Sequence, residues 1–304
     1  MSVTPPVRLG LDRLVEADFA PVRGRRIGLL CHAASVASDL RHITRCFADA
    51  GVPVARCFGP EHGIWADAQD MISVAEDDAR EPVTGAPVRS LYGSDEASLS
   101  PRPADVADLD VLVVDLQDVG SRYYTYIYTA ALALKVCAQV GTEVLLLDRP
   151  NPIGGEGVEG PMIQPGFESF VGMWSLPTRH GLTIGEVVSL LQAREGLGGE
   201  LTVLQMQGWR RAMWHDDTGV PWVQPSPNMP TLDTATVYPG GCLIEGTTLS
   251  EGRGTTRPFE LIGGRGIDPF QLSDLLVTRG LPGVRWRPVF FQPTFHKFGG
   301  QTIG

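Results

Sequence analysis

The chain predicts an α/β fold built on a parallel sheet, and three observations carry that expectation. Short apolar runs, β-branched or leucine-rich, recur through the first two thirds of the sequence. Segments of helical period separate them, and alternation of that kind points to βα units and a parallel sheet. Three of the runs also open onto polar loops that carry Gly or Pro, as expected where the carboxyl ends of parallel strands carry a binding site.

In chain order, Arg26–Cys31 is a short apolar run bounded by polar residues, and Leu40, Ile43, Phe47 and Ala48 then recur at helical spacing. Gly51-Val52-Pro53 breaks that helix, and Val54–Phe58 forms the next strand. Pro60 lacks an N–H for a ladder, so neither strand nor helix runs through Gly59-Pro60-Glu61-His62-Gly63, and Glu61 sits on a loop. Asp67 to Pro87 reads as a polar excursion over the surface, closed by a short strand at Val88–Leu91. Asp110–Leu116 is the clearest buried strand. The polar cluster Gln117–Tyr126 follows it, then a helix over Ile127–Gln139 that is apolar nearly all round and therefore buried.

Gly141 stops that helix, Val144–Leu147 is another strand, and Asp148–Pro161 is too rich in Pro and Gly for regular structure. Thr183-Ile184-Gly185-Glu186 is a capping box that starts a helix with Ile184, Val187, Val188 and Leu191 on one face. Glu186 is explained by that cap. Leu201–Gln205 ends the regular alternation, which places a domain boundary near 205, with a first domain over 1–205 and a second over 206–304. In the second, Asp268 caps a helix with Pro269 in its first turn, Leu272, Leu275 and Leu276 inward and Gly280 as its stop; Val284–Phe291 then reads as a strand.

With 304 residues, 43% hydrophobic and 20% charged, the composition is that of a globular protein. A net charge of −10 argues against nucleic-acid partners and anionic membranes, both of which need clustered Lys and Arg. The first eight residues show no signal-peptide core, and runs such as Val111–Val114 are far too short to cross a bilayer. A cytoplasmic, soluble protein is expected. Cys31, Cys46, Cys57, Cys137 and Cys242 are scattered without a C-x-x-C pair, so they read as reduced core thiols.

Three loops at predicted strand ends carry the candidate chemistry: Glu61-His62, then Gln117-Asp118 with Arg122, Tyr123, Tyr124 and Tyr126, then Asn151 with Glu156 and Glu159. Two carboxylates facing each other across a bond are what glycoside hydrolysis needs. Tyrosines pack on sugar faces, and Arg122 offers a fork for a substrate carboxylate. In the second domain, Pro225–Pro230 and Glu245–Thr256 form another polar cluster, in which Glu251 and Arg253 either contact a ligand or pair with each other. Leu29–Ser35 lacks the G-x-G-x-x-G of a dinucleotide site, and there is no G-x-S-x-G elbow. Gly154-Gly155-Glu156-Gly157 is a weak phosphate signal, being followed by acidic residues. A metal site from His62, Asp67 and Asp115 lacks any recognisable ligand spacing. No cofactor or metal is expected.

Together these loops resemble a bacterial family of exo-β-N-acetylmuramidases, enzymes of peptidoglycan turnover once catalogued as a domain of unknown function. The matching segments are Gly59–Gly63, Asp115–Tyr126, Leu147–Gly155, Val158–Pro161, Arg179–Thr183, Pro225–Pro230 and Glu245–Thr247, in the family's order and over most of the chain. The resemblance implies a Rossmann-like domain with a smaller α/β domain, and a substrate with a non-reducing-end N-acetylmuramic acid (MurNAc) on N-acetylglucosamine (GlcNAc). On that substrate Glu61 is the leading catalytic carboxylate, as general acid, with Glu159 as its partner. Arg122 or Arg253 would hold the lactyl carboxylate, and Asn151 or Asn228 the acetamide. His62, Gln117, Asp118, Tyr123, Tyr126 and Glu251 complete the expected sugar site. The family pattern runs several tens of residues beyond the segment resembling Phe291–Lys297, which implies a second domain incomplete at its C-terminus. A muropeptide-binding protein without turnover and a metal-dependent hydrolase are the rival classes.

Overall fold

The computed structural model describes residues 6–66, 79–92 and 96–304. Most of the expected surface excursion, Asp67 included, lies outside them. The chain divides into two compact units, Met1–Pro227 and Asn228–Gly304.

Unit 1 runs α1 (Gly10–Glu16), β1 (Ile27–Cys31), α2 (Ile43–Asp49), β2 (Val54–Gly59), β3 (Val88–Ser90), α3 (Pro103–Val106), β4 (Val111–Asp115), α4 (Tyr126–Val140), β5 (Glu143–Leu147), α5 (Ile184–Glu195) and β6 (Leu201–Leu204). The strands form one sheet in the order β3-β2-β1-β4-β5-β6, and every neighbouring pair is parallel. The chain winds outward from β1 to β3, then crosses back to lay β4 on the other side of β1, with Ile27 opposite Val111 and Leu30 opposite Val114. This is the doubly wound order, and its ligand crevice lies beyond the carboxyl ends of the two strands where the winding reverses.

β1 and β4 are buried along their whole length, which is why both read as unbroken apolar runs. Ile27, Leu29, Val111, Val113, Leu145 and Leu147 pack with Leu11 and Leu14 of α1 and with Ile43 and Phe47 of α2. α4 lies against α3, α5 and β5. It stops at Gly141, whose φ of 81° suits a left-handed cap.

The unit boundary falls at Pro227 rather than near 205. After β6 the chain returns to the segment before α1: Arg8 and Gln207 form an antiparallel bridge, Val7 N–H donates to Thr218 O, and Met213 and Val220 join a small core with Val7 and Leu9. That pairing ties 206–227 to the first unit.

The capping box at the start of α5 is present as expected, with Thr183 and Glu186 exchanging hydrogen bonds. It rests on buried Asp148, whose carboxylate accepts from Thr183 Oγ1 (3.0 Å) and Gly185 N (2.9 Å). Burial pushes the Asp148 carboxyl up to about 6, against those hydrogen bonds. A raised acid pKa means that the folded state binds the proton more tightly than the unfolded state. Stability therefore falls as pH rises from about 4 to about 6, and the deficit is fully present above that range. Asp148→Asn is expected to flatten this slope, which is worth on the order of 2–3 kcal/mol, as read from urea midpoints between pH 4.5 and 7.5.

Unit 2 contains α6 (Leu232–Gly241), which continues into a 3₁₀ turn at Cys242–Gly246, and α7 (Pro269–Thr278). Ser250 pairs with Gly263 and Phe291 with Ile303 as antiparallel bridges. Val284–Phe291 is irregular chain up to that last bridge rather than a strand. Asp268 caps α7, accepting from Phe270 N and Gln271 N. Pro269 and Ser273 form its buried stripe, with Leu272 and Leu276 half-buried alongside. Leu275 lies one residue off that stripe and is exposed, contrary to the inward position expected for it.

Candidate active site

The loop after β2 turns sharply. Gly63 N–H closes onto Pro60 O (2.9 Å), and His62 sits at φ 72°, a left-handed conformation that costs a non-glycine residue roughly 1–3 kcal/mol and clusters at functional sites. The turn presents Glu61, half-buried, whose Oε2 accepts from Thr125 Oγ1 at 2.6 Å. The Tyr126 hydroxyl lies 3.2 Å from Glu61 O and 2.9 Å from Pro225 O. Tyr124 and Tyr126 meet edge to face at 4.8 Å. Burial first, and then the Glu61 and Asp118 carboxylates, push the Tyr124 hydroxyl well above its usual range.

His32 follows β1 directly, at the point where the winding reverses. Its Nε2 accepts from Gln117 N (2.9 Å), which leaves the proton on Nδ1 for Pro225 O (3.1 Å). Burial, reinforced by Arg149 and the neighbouring histidines, lowers its pKa to about 3 despite the Pro225 contact. His32 is thus a neutral strut joining the ends of β1 and β4 to Pro225, packed edge-on against Tyr126 at 4.9 Å.

The loop after β4 is locked to the loop after β5. Asp118 Oδ2 accepts from Gly120 N (2.7 Å) and lies 3.2 Å from His180 Nε2, while His180 Nδ1 accepts from Leu182 N (3.2 Å). Gln117 donates its side-chain amide to Asp118 O and Pro150 O. Asn151 donates to Leu182 O (2.9 Å), and its Oδ1 accepts from Ile153 N (3.2 Å). Gly120 sits at φ 79°, and a Cβ there would stand 2.4 Å from Asn151 Oδ1, so only glycine closes this joint. Gln117 and Asn151, expected as sugar ligands, have their amides turned onto backbone. Deep between β4 and β5, Arg149 forms a two-pronged pair with Asp115 (2.5 and 2.8 Å) and donates to Val36 O (2.8 Å). Asp115 is thereby occupied, which removes it from any metal set with His62.

Arg122 is placed differently from the expectation of a free fork. It is buried, and its Nη1 donates to Pro161 O and Leu176 O, both at 2.6 Å, clamping the two feet of the 162–175 excursion. Its guanidinium lies 5.3 Å from the centre of the Tyr123 ring, and the Tyr123 hydroxyl is 3.4 Å from Thr178 Oγ1. Glu159 pairs by backbone with Arg179, and its side chain, 69% exposed, forms an ion pair with the same Arg179 at 2.8 Å. Arg179 in turn lies over Trp214, and Arg211 over Trp209. These planes explain the glycine run. A Cβ at Gly157 would come within 2.5 Å of the Arg179 guanidinium carbon, and one at Gly155 within 2.9 Å of Trp209.

In unit 2, Asn228 is buried. Glu251 is fully buried, 3.1 Å from Lys297 Nζ and 3.2 Å from His296 Nδ1. Arg253 sends Nε and Nη2 to Glu245 Oε1 (2.8 and 2.5 Å) and stays 3.7 Å from Glu251, so Glu251 and Arg253 have different principal partners.

The site in unit 1 therefore joins Glu61 to Thr125 and Tyr126, with Gln117 and Asp118 on the loop that precedes them. Arg122 and Tyr123 lie on the loop after β4, where Arg122 clamps the feet of the 162–175 excursion, and Glu159 lies just before the first foot. His32, Thr125 and His180 were not singled out from the sequence. Among the described residues, no group of three or more His, Cys, Asp or Glu side chains is placed to hold a metal ion.

Comparison with known proteins adds to this geometry. Residues 27–233 match the family model for the N-terminal part of the exo-beta-N-acetylmuramidase NamZ, and residues 236–304 match the C-terminal part. The peptidoglycan beta-N-acetylmuramidase NamZ of Bacillus subtilis is 44% identical over 299 residues, covering 97% of this chain and 70% of that protein. A crystal structure of a DUF1343 family protein from Bacteroides fragilis superposes with a TM-score of 0.89 at 34% identity, over 98% of this chain and 76% of its own. A second such protein from the same organism gives 0.77 at 27% identity, over 98% and 75%.

Proposed function

The chain belongs to the exo-beta-N-acetylmuramidase NamZ family, and from that membership we infer that it is a glycoside hydrolase releasing MurNAc from the non-reducing end of peptidoglycan fragments. The observation that carries the mechanism is Glu61, held by Thr125 beside the switch point of the sheet. We assign Glu61 as the general acid: its proton passes to the glycosidic oxygen as the bond from that oxygen to the anomeric carbon breaks, and water supplies the hydroxyl of the released MurNAc. Glycosidases need a second carboxylate as nucleophile or base. Of the two, Glu159 is solvent-exposed and tied to Arg179, whereas Asp118 is buried on the loop that runs on to Thr125, 3.2 Å from His180 Nε2. Asp118 is the better supported partner, and Glu159, beside Arg179, is the alternative.

Incubation with MurNAc-GlcNAc is expected to release free MurNAc and GlcNAc in equal amounts. Saturable binding of the disaccharide without turnover would instead make this a muropeptide-binding protein. Five free cysteines, four of them buried, suit a reducing compartment, and the cytoplasm is where we place the reaction. Among the described residues, no helix is long and apolar enough to cross a membrane.

A further inference from the structure

Among the described residues three threonines stand at helix N-caps, and two behave alike. Thr183 and Thr231 have extended backbones, and each side chain accepts from an N–H in the first turn, Glu186 N and Thr234 N. Thr125, the N-cap of the 15-residue α4, does neither. Its backbone is helical (φ −66°, ψ −15°), and its side chain makes no capping bond. The hydroxyl is instead aimed at Glu61 Oε2, 64 residues earlier in sequence, at 2.6 Å. A residue type that normally stabilises its own helix has been diverted to a carboxylate on another loop. That loop is itself strained, with His62 at φ 72° immediately after Glu61. Departures from local preference of this kind mark functional sites.

We propose that Thr125 is a positioning residue: by donating to Oε2 it fixes the Glu61 carboxyl with Oε1 as the oxygen that carries the acidic proton toward the leaving sugar. This rests on the assignment of Glu61 as general acid. The Tyr126 hydroxyl near Glu61 O anchors the same residue through its backbone, so side chain and main chain of Glu61 are held from adjacent positions at the start of α4.

The test uses leaving groups. An aryl leaving group such as 4-nitrophenolate departs with little protonation, whereas GlcNAc needs the acid. Thr125→Val is expected to lower kcat on MurNAc-GlcNAc about tenfold with KM unchanged, and to lower it less than about threefold on 4-nitrophenyl β-MurNAc. Thr125→Ser, which keeps the hydroxyl, should restore kcat on the disaccharide. The thermal midpoint of Thr125→Val should stay within about 2 °C of the parent, because no capping bond is lost. Equal loss on both substrates, or a serine variant as impaired as the valine one, would overturn the proposal. A Glu61→Gln variant run alongside separates the two levels. If it stays active, the acid assignment falls; if it is inactive while Thr125→Val is unaffected, only the role of Thr125 falls.

Discussion

Glu61→Gln is expected to lower kcat on MurNAc-GlcNAc by about 10²–10⁴-fold, the usual contribution of a positioned general acid. Glutamine keeps the shape and still accepts from Thr125 Oγ1, so the Oε2 contact at 2.6 Å has a neutral counterpart and the fold has little reason to change. A thermal midpoint close to that of the parent, together with lost turnover and retained disaccharide affinity, is the expected combination. The loss should be much smaller on 4-nitrophenyl β-MurNAc, whose leaving group needs little help. A fully active Glu61→Gln enzyme would remove Glu61 from the chemistry and leave the turn at Pro60–Gly63 without a catalytic explanation.

The largest expected effect on stability lies in the buried pair of Arg149 and Asp115. Arg149→Met leaves the Asp115 carboxylate, fully buried in the original pair, without its countercharge. Breaking one side of a buried ion pair costs about 3–5 kcal/mol, which for a unit of this size lowers the thermal midpoint by roughly 10–15 °C. The change also removes the donor to Val36 O, which ties the exit of β5 to the loop after β1. The double variant Asp115→Leu/Arg149→Met should recover most of the loss, because the desolvation penalty then disappears together with the attraction. Calorimetry on the parent, the single variant and the double variant reads this directly; a single variant as stable as the parent would contradict the account.

The sheet was legible because burial on both faces writes itself locally: Ile27–Cys31 and Val111–Asp115 carry no polar side chain except at their ends. The start of α5 was legible for a similar reason, since Thr183 and Glu186 exchange their bonds within four residues. The unit boundary was not, because Gln207 pairs with Arg8 across nearly the full length of unit 1 and such pairing leaves no period in the sequence. Arg122 illustrates the limit for sites. A guanidinium in a loop looks the same on paper whether it faces a ligand or, as here, Pro161 O and Leu176 O. His32 was hidden differently: a single histidine after an apolar strand has no partner in its own neighbourhood, and its bonds go to Gln117 and Pro225. Thr125 lay inside the quoted Asp115–Tyr126 segment, but nothing nearby in sequence marks its hydroxyl as belonging to Glu61.

The position of β1 at the centre of the sheet bears on how the protein is made. Its partner β4 begins 84 residues after it (Ile27 opposite Val111), and the strut from its last turn reaches Pro225. On the ribosome, β1, β2 and β3 emerge first as half a sheet with one flank of β1 unpaired, and contacts this distant in sequence form slowly. The bonds that Tyr126 and His32 make to Pro225 O cannot form until synthesis has passed residue 225, so the Glu61–Thr125 pair stands without that support while the intervening hundred or so residues, counted from Thr125, are made.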